Sequence, residues 1–371
     1  MTISLNRRHL LKGAGLAGAV TAFPNLAFAT APTEQRLVFI IQRGAADGLA
    51  MVPPLGDLDL ARHRSAIMDE GMLPIDEMFG LHPALAETRK LFDQGQARAI
   101  HAVATNYRDR SHFDGQNILE SGGARPYAEP TGWIGRLRNA LPDQHGTALA
   151  IAPSVPLAMR GPQPVATFVP NRVPDASEDL LLRLSALYSE DAQLAPLWSE
   201  AMKTKDLAGD LAGNNGRNGG QLGELAARLM ASEDGARLMM IETGGWDTHS
   251  NQRGRLNAQL RGLDQLLLGL RNGLGAAWEN TLVIVATEFG RTVAVNGTQG
   301  TDHGTASSML LLGGTLGPGP LVQADWPGLS ESALFEGRDL RPTVDFASVV
   351  NAVLARHYSL DRSDLDSVFI S

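Results

Sequence analysis

The chain has 371 residues, a formal net charge of -8 and no cysteine. The missing cysteines exclude disulfides and thiolate chemistry in any compartment. The diffuse negative charge argues against nucleic acid as a partner, since that needs a concentrated basic surface.

The first element is a targeting signal. Asn6-Arg7-Arg8-His9-Leu10-Leu11-Lys12 gives a basic start with a paired arginine, residues 13–22 are apolar and rich in Gly and Ala, and Ala27-Phe28-Ala29 supplies a small-x-small cleavage pattern. This combination describes a secretory signal of the twin-arginine type, over residues 1–29. The apolar run falls short of the ~20 residues that span a bilayer, so the segment reads as a signal rather than an anchor. The expected location is periplasmic or extracellular, with no stable membrane span once the signal is cleaved.

Short apolar or β-branched runs bounded by glycine or polar loops follow at 37–41, 99–103, 238–242, 282–286 and 309–312, and these read as buried parallel strands. Leucines at three- and four-residue spacing mark helices over 83–92 and 256–270, and 343–358 gives a closing helix with Asp345 in its first turn. Alternating strands and helices predict an α/β sandwich around a mostly parallel sheet. Residues 151–172, rich in proline, read as loops and short strands, a small antiparallel insertion. The Gly- and Asn-rich stretch 208–220 reads as a flexible loop between two halves that one shared sheet joins into a single domain, 30–371.

In an open α/β sheet, ligands bind beyond the carboxyl ends of the strands. Acids and histidines collect at these ends. Asp47 follows the first strand, and Ser111 stands between Arg110 and His112 after the second. Asp247 and His249 follow the third, and Glu288, Arg291, Asp302 and His303 follow the fourth. Mixed carboxylate and imidazole donors suit a borderline divalent ion such as zinc or manganese. Each residue also has a plainer reading. Asp247 caps a helix beginning near Ser250, Glu288 pairs with Arg291, Asp47 is a turn residue before Gly48, Asp302 and His303 form a turn, and Ser111 is the N-cap of a helix over 113–120.

The motifs Arg43-Gly44-Ala45-Ala46-Asp47-Gly48, Ser111-His112-Phe113, Thr131-Gly132-Trp133, Gly245-Trp246-Asp247-Thr248-His249, Thr287-Glu288-Phe289-Gly290-Arg291-Thr292 and Asp302-His303-Gly304 together resemble the DUF1501 family of exported bacterial proteins, within the alkaline phosphatase-like superfamily. The resemblance covers essentially the whole chain after the signal. It implies an alkaline phosphatase-like three-layer sandwich with a two-metal site beside a Ser or Thr nucleophile. By order along the chain it assigns Asp47, Asp247, His249, Glu288 and His303 to metal binding, with Asp302 counted in the same metal site, and Ser111 to attack. Arg43, Arg110 and Arg291 are then the candidates to hold an anionic ester, with Asp302 orienting His303. Phe289 stands where the superfamily places a histidine ligand, so one ion is better served than two. No serine stands in the context of a sulfatase nucleophile. Two functions stay open: a metal-dependent hydrolase of phosphate or related anionic esters, and a non-catalytic cell-envelope assembly or binding protein, with an envelope protein as partner, that retains the metal-stabilised fold.

Overall fold

The computed structural model describes residues 34–370 except 142–146, most of 170–217, and 234. The signal segment and nearly all of the loop expected over 208–220 lie outside the described residues.

Among the described residues nine strands form one sheet. In chain order they are β1 (Arg36–Gln42), β2 (Ala97–Ala104), β3 (Ala148–Ile151), β4 (Ala166–Phe168), β5 (Leu238–Thr243), β6 (Thr281–Ala286), β7 (Ser307–Leu312), β8 (Val322–Gln323) and β9 (Val344–Asp345). Their order across the sheet is β8-β2-β7-β6-β1-β5-β3-β4, with β9 beside the far end of β2. β1 lies between β5 and β6 and pairs parallel with both, so strands from the two halves of the sequence interleave. Among the described strands of this sheet β7 alone runs antiparallel, against β2 on one side and β6 on the other.

This sheet is the mostly parallel one expected, with two local differences. All five predicted runs lie inside observed strands, but the run at 309–312 belongs to the reversed β7. The proline-rich stretch supplies β4, which pairs parallel with β3 and so extends the sheet; it is not an antiparallel insertion.

Alternation along β1 makes the sheet two-faced. Val38 and Ile40 face one core; Leu37, Phe39 and Ile41 face the other. The first face is covered by α1 (Ala86–Asp93), α4 (Gly219–Ala231) and α5 (Gln252–Leu274). Leu256, Leu260, Leu263, Leu267, Leu270 and Leu274 recur at three- and four-residue spacing along α5 and are all buried. Burying each one fully is worth about 1.5–3 kcal/mol. α4 lies so close to α5 that a Cβ on Gly223 would stand 2.1 Å from the Leu266 carbonyl. The second face is covered by α2 (His112–Ser121), α3 (Trp133–Ala140) and α6 (Phe346–Tyr358). There Phe39 meets Trp133 edge-on with ring centroids 5.2 Å apart. The result is a three-layer sandwich.

The parallel strands β1, β5 and β6 share one carboxyl edge. Because β7 is reversed, its amino end lies at that same edge, and the loop entering it carries Asp302 and His303 there.

Candidate metal centre

Loops from this edge meet closely. Gly44 has φ +117°, and a Cβ on it would lie 2.7 Å from the Asp247 backbone nitrogen, so only glycine lets the loop after β1 touch the loop after β5. The Gly44 N–H donates to Glu288 Oε1 at 2.9 Å, which ties in the end of β6.

Glu288 is fully buried, and donors surround its carboxylate. Besides Gly44, Oε1 accepts from Gln116 Nε2 at 2.9 Å and His112 Nδ1 at 2.8 Å, while Thr287 Oγ1 donates to Oε2 at 3.0 Å. Burial alone raises a carboxyl pKa, but the bonds from His112 and Gln116 outweigh it and hold Glu288 below its ordinary range. The Glu288–Arg291 pair, the plainer reading of that carboxylate, is not formed. Arg291 turns instead to Asp247, with its terminal nitrogen 2.9 Å from Oδ1.

Three imidazoles share one arrangement. His112 Nδ1 faces Glu288 Oε1, His249 Nδ1 faces Asp302 Oδ1 at 3.1 Å, and His303 Nδ1 faces the Arg110 carbonyl at 2.9 Å. An ionised carboxylate or a carbonyl can only accept, so each Nδ1 carries the hydrogen, and each ring, when neutral, would offer the lone pair of Nε2 to an ion. The three Nε2 atoms converge on Asp247. His249 Nε2 is 2.9 Å from Asp247 Oδ1, His303 Nε2 is 3.4 Å from the same oxygen, and His112 Nε2 is 3.5 Å from Oδ2. His249 Nε2 and His303 Nε2 stand only 3.0 Å apart. Donor atoms of His112, Asp247 and His303 all lie within 4.8 Å of one another. Four ligands on a tetrahedral zinc ion at 2.0–2.1 Å are themselves ~3.4 Å apart. The spacing of His112, Asp247 and His303 could therefore hold one divalent ion, with His249 Nε2 beside it.

Electrostatics agree with that fit. Burial opposes ionisation of Asp247, but Arg291 and the three histidines overcome it and lower its pKa. His303 is held below its ordinary value by burial and by its neighbour His112. His112 is raised, chiefly by its bond to Glu288 and against the pull of burial. Phe289 stacks on His112 with centroids 5.2 Å apart and packs at 5.4 Å from His303, which fixes both rings.

The other sequence candidates fall around this cluster rather than in it. Asp47 is buried, with Oδ2 2.6 Å from Arg64 and 2.5 Å from Gln252 Nε2, while its Oδ1 caps the short helix Gly48–Met51. Asp302 supports His249 and also accepts from Asn296; it does not orient His303, whose Nδ1 partner is the Arg110 carbonyl. Arg43 is spent on Glu120, Glu242 and Gln116, and Arg110 on Asp339 and Glu336. Arg291 differs. It is buried, its Nη2 lies 2.9 Å from Asp247 Oδ1, and its Nε and Nη1 have no hydrogen-bond partner among the described residues. Ser111 occupies the N-cap position of α2, yet its side chain makes no capping bond, and its N–H donates to Tyr107 Oη at 3.1 Å. Asp247 does not cap α5, whose N-cap is Asn251. His112 was not among the metal candidates read from sequence. Its signal was its place directly after Ser111, at the first turn of a helix that starts at the carboxyl edge.

The sequence matches the family described as "Protein of unknown function (DUF1501)" over residues 34–369. A search of curated proteins finds no match. Among solved structures, the alkaline phosphatase of the Antarctic bacterium TAB5 is 12% identical with a TM-score of 0.36, covering 78% of this chain and 94% of that one. The lipoteichoic acid synthase LtaP from Listeria monocytogenes is 11% identical with a TM-score of 0.38, covering 86% and 75%. The C-terminal periplasmic domain of EcEptC from Escherichia coli is 11% identical with a TM-score of 0.38, covering 80% and 77%.

Proposed function

We propose that this chain, which belongs to the DUF1501 family, is an exported metal-dependent hydrolase of phosphate or related anionic esters. The observation that carries the reading is the trio of imidazoles, each with Nδ1 committed to an acceptor and Nε2 aimed at Asp247. Zinc is the ion that this nitrogen-rich set suits best; manganese, the other ion the sequence suggests, prefers oxygen ligands. Such an ion supplies Lewis acidity, which polarises an ester oxygen and lowers the pKa of an attacking hydroxyl.

The chain's own residues do the rest. His112, His249, His303 and Asp247 hold the ion, with Glu288, Asp302 and the Arg110 carbonyl fixing the rings behind them. Arg291 brings a buried guanidinium with unused N–H groups to the same place, and so binds the oxygens of an anion. Ser111, adjacent to His112 and with its hydroxyl not spent on the helix, is the group we assign to attack. The paired Arg7-Arg8 and the Ala27-Phe28-Ala29 site support export by the twin-arginine route.

Metal analysis of the purified protein, run beside a screen of phosphomonoesters, phosphodiesters and sulfate esters, tests this reading. Wild type should bind one divalent ion per chain and hydrolyse a member of the panel. His303→Ala should lose both properties, and Ser111→Ala should keep the ion but lose at least a thousandfold in turnover. Bound metal with no turnover anywhere in the panel returns the site to a binding role. Exchanging Arg7 and Arg8 for Lys should leave unprocessed protein in the cytoplasm, and normal processing of that variant refutes the twin-arginine route.

A further inference from the structure

A second feature adjoins the metal centre. A groove of about 790 Å³ lies between α5 and the segment 66–69, within the range of ligand-binding cavities. It contains no catalytic candidate, but its wall and the metal centre share loops. Asn251, in the groove, stands two residues beyond His249, at most ~7 Å along the chain. Gln299, also in the groove, lies four residues before His303. The two loops are zipped together by Asn251 N to Thr298 O at 3.1 Å and Gln252 N to Gln299 O at 2.9 Å. Both Asn251 (φ 51°) and Gln299 (φ 56°) are held left-handed, a conformation that costs a side-chain-bearing residue about 1 kcal/mol or more and that clusters at ligand sites.

The chemistry of the groove comes from α5. Arg253, Asn257, Arg261 and Gln265 recur at i+4 spacing and all line it. Asp69 accepts from Arg253 Nε at 2.6 Å, and Asn257 Oδ1 accepts from Arg261 Nε at 2.6 Å, so Arg253 is ion-paired while Arg261 is oriented by a neutral amide and keeps its charge for a ligand. The adjacent row holds Gly254 and Gly262. Neither would meet any atom within 4 Å if it carried a Cβ, so packing on their own side does not require glycine there. A glycine inside a helix costs about 1 kcal/mol relative to alanine. Here the missing side chains widen the groove.

We propose that this groove is a second subsite that binds the non-reacting part of the substrate, a hydroxyl-rich group with its own anionic substituent. The inference rests on the hydrolase reading for the word substrate, but not for binding. Amide side chains both donate to and accept from hydroxyls, and the guanidinium groups match a carboxylate, sulfate or phosphate. A ligand seated there would reach the metal centre across the paired loops.

The test is calorimetric titration of the full chain, with metal chelated to prevent turnover. Fructose 1,6-bisphosphate is the extended probe and phenyl phosphate the compact one. Wild type should bind the bisphosphate at least tenfold more tightly than phenyl phosphate. Arg261→Glu and Gly254→Leu should each abolish that advantage and leave phenyl phosphate unaffected. Gly254→Leu should also keep or raise Tm, since it removes a helix glycine at an open position, so loss of folding does not confuse the result. Equal affinity for both probes in wild type, or an advantage that survives both variants, overturns the subsite. Failure of the hydrolase reading looks different: metal-loaded wild type turns over neither ester, while the variants still weaken bisphosphate binding.

Discussion

At the scale of single residues, the centre depends on groups that do not touch an ion. Glu288 fixes the His112 tautomer through a 2.8 Å bond and is itself held by Gly44, Gln116 and Thr287. Glu288→Gln keeps the volume but replaces a carboxylate with an amide, which weakens the pull on Nδ1–H. Metal affinity should fall roughly 10- to 100-fold, as for other groups that orient a ligating histidine. Competition with a chromophoric chelator measures this, and unchanged affinity removes Glu288 from the support of the site. Sequence made Asp247, His249 and His303 legible because they follow strands at a predictable edge. It pointed to Glu288 as a ligand because a carboxylate ending an apolar strand needs a partner. That partner is the Nδ1–H of His112, a residue 176 positions away in the chain. Asp47 stands out in the sequence as the acid after the small-residue loop that follows the first strand; its partners are Arg64, 17 positions away, and Gln252, 205 positions away. Local pattern identifies a costly charge; only the fold tells which neighbour neutralises it.

At the scale of elements, local signals were more complete. The leucine spacing of α5 predicted its buried face, and the hydrophobic runs predicted every central strand, because burial on a sheet or helix repeats with a short period. Strand direction carries no such period. The reversal of β7 is set by its pairing with β2 and β6, and this reversal brings His303 to the edge where Asp247 waits. Asp345 shows a local signal refined by structure. It is the N-cap of α6 rather than a first-turn residue, and its Oδ2 accepts from the Ser348 N–H and hydroxyl, both at 2.8 Å. Asp345→Ala should therefore cost about 1 kcal/mol of stability, seen as a small drop in the denaturant midpoint with an unchanged slope. No change in the midpoint removes Asp345 as the cap.

At the scale of the whole molecule, both faces of the sheet depend on histidines buried without charge. His101, on β2, donates from Nε2 to the Val52 carbonyl at 2.9 Å and accepts the Ala102 N–H on Nδ1 at 2.8 Å. A proton added to Nδ1 destroys the second bond. His357, near the end of α6, has Nε2 3.0 Å from the Arg36 carbonyl and Nδ1 3.0 Å from Thr315 Oγ1. Burial depresses both rings from 6.5 to about 4, despite the carbonyl bonds that favour the charged form. In the unfolded chain both return to the ordinary value, so between about 6.5 and about 4 the unfolded state binds more protons than the folded one. Stability from these groups is thus complete above the unfolded value and is lost as pH falls through that window, by at most about 3 kcal/mol for each ring. Thermal unfolding with metal chelated should show Tm level above pH 7 and declining steadily from pH 6.5 towards pH 4. The decline should be shallower in the double variant His101→Gln, His357→Gln, whose amides can donate and accept without titrating. Carboxylates depressed by their partners, such as Asp69 beneath Arg253, Asn257 and His82, add their losses only below the ordinary carboxylate range. An acid limb that begins near pH 4 instead of pH 6.5, or one that the double variant leaves unaltered, means that the buried histidines do not set it.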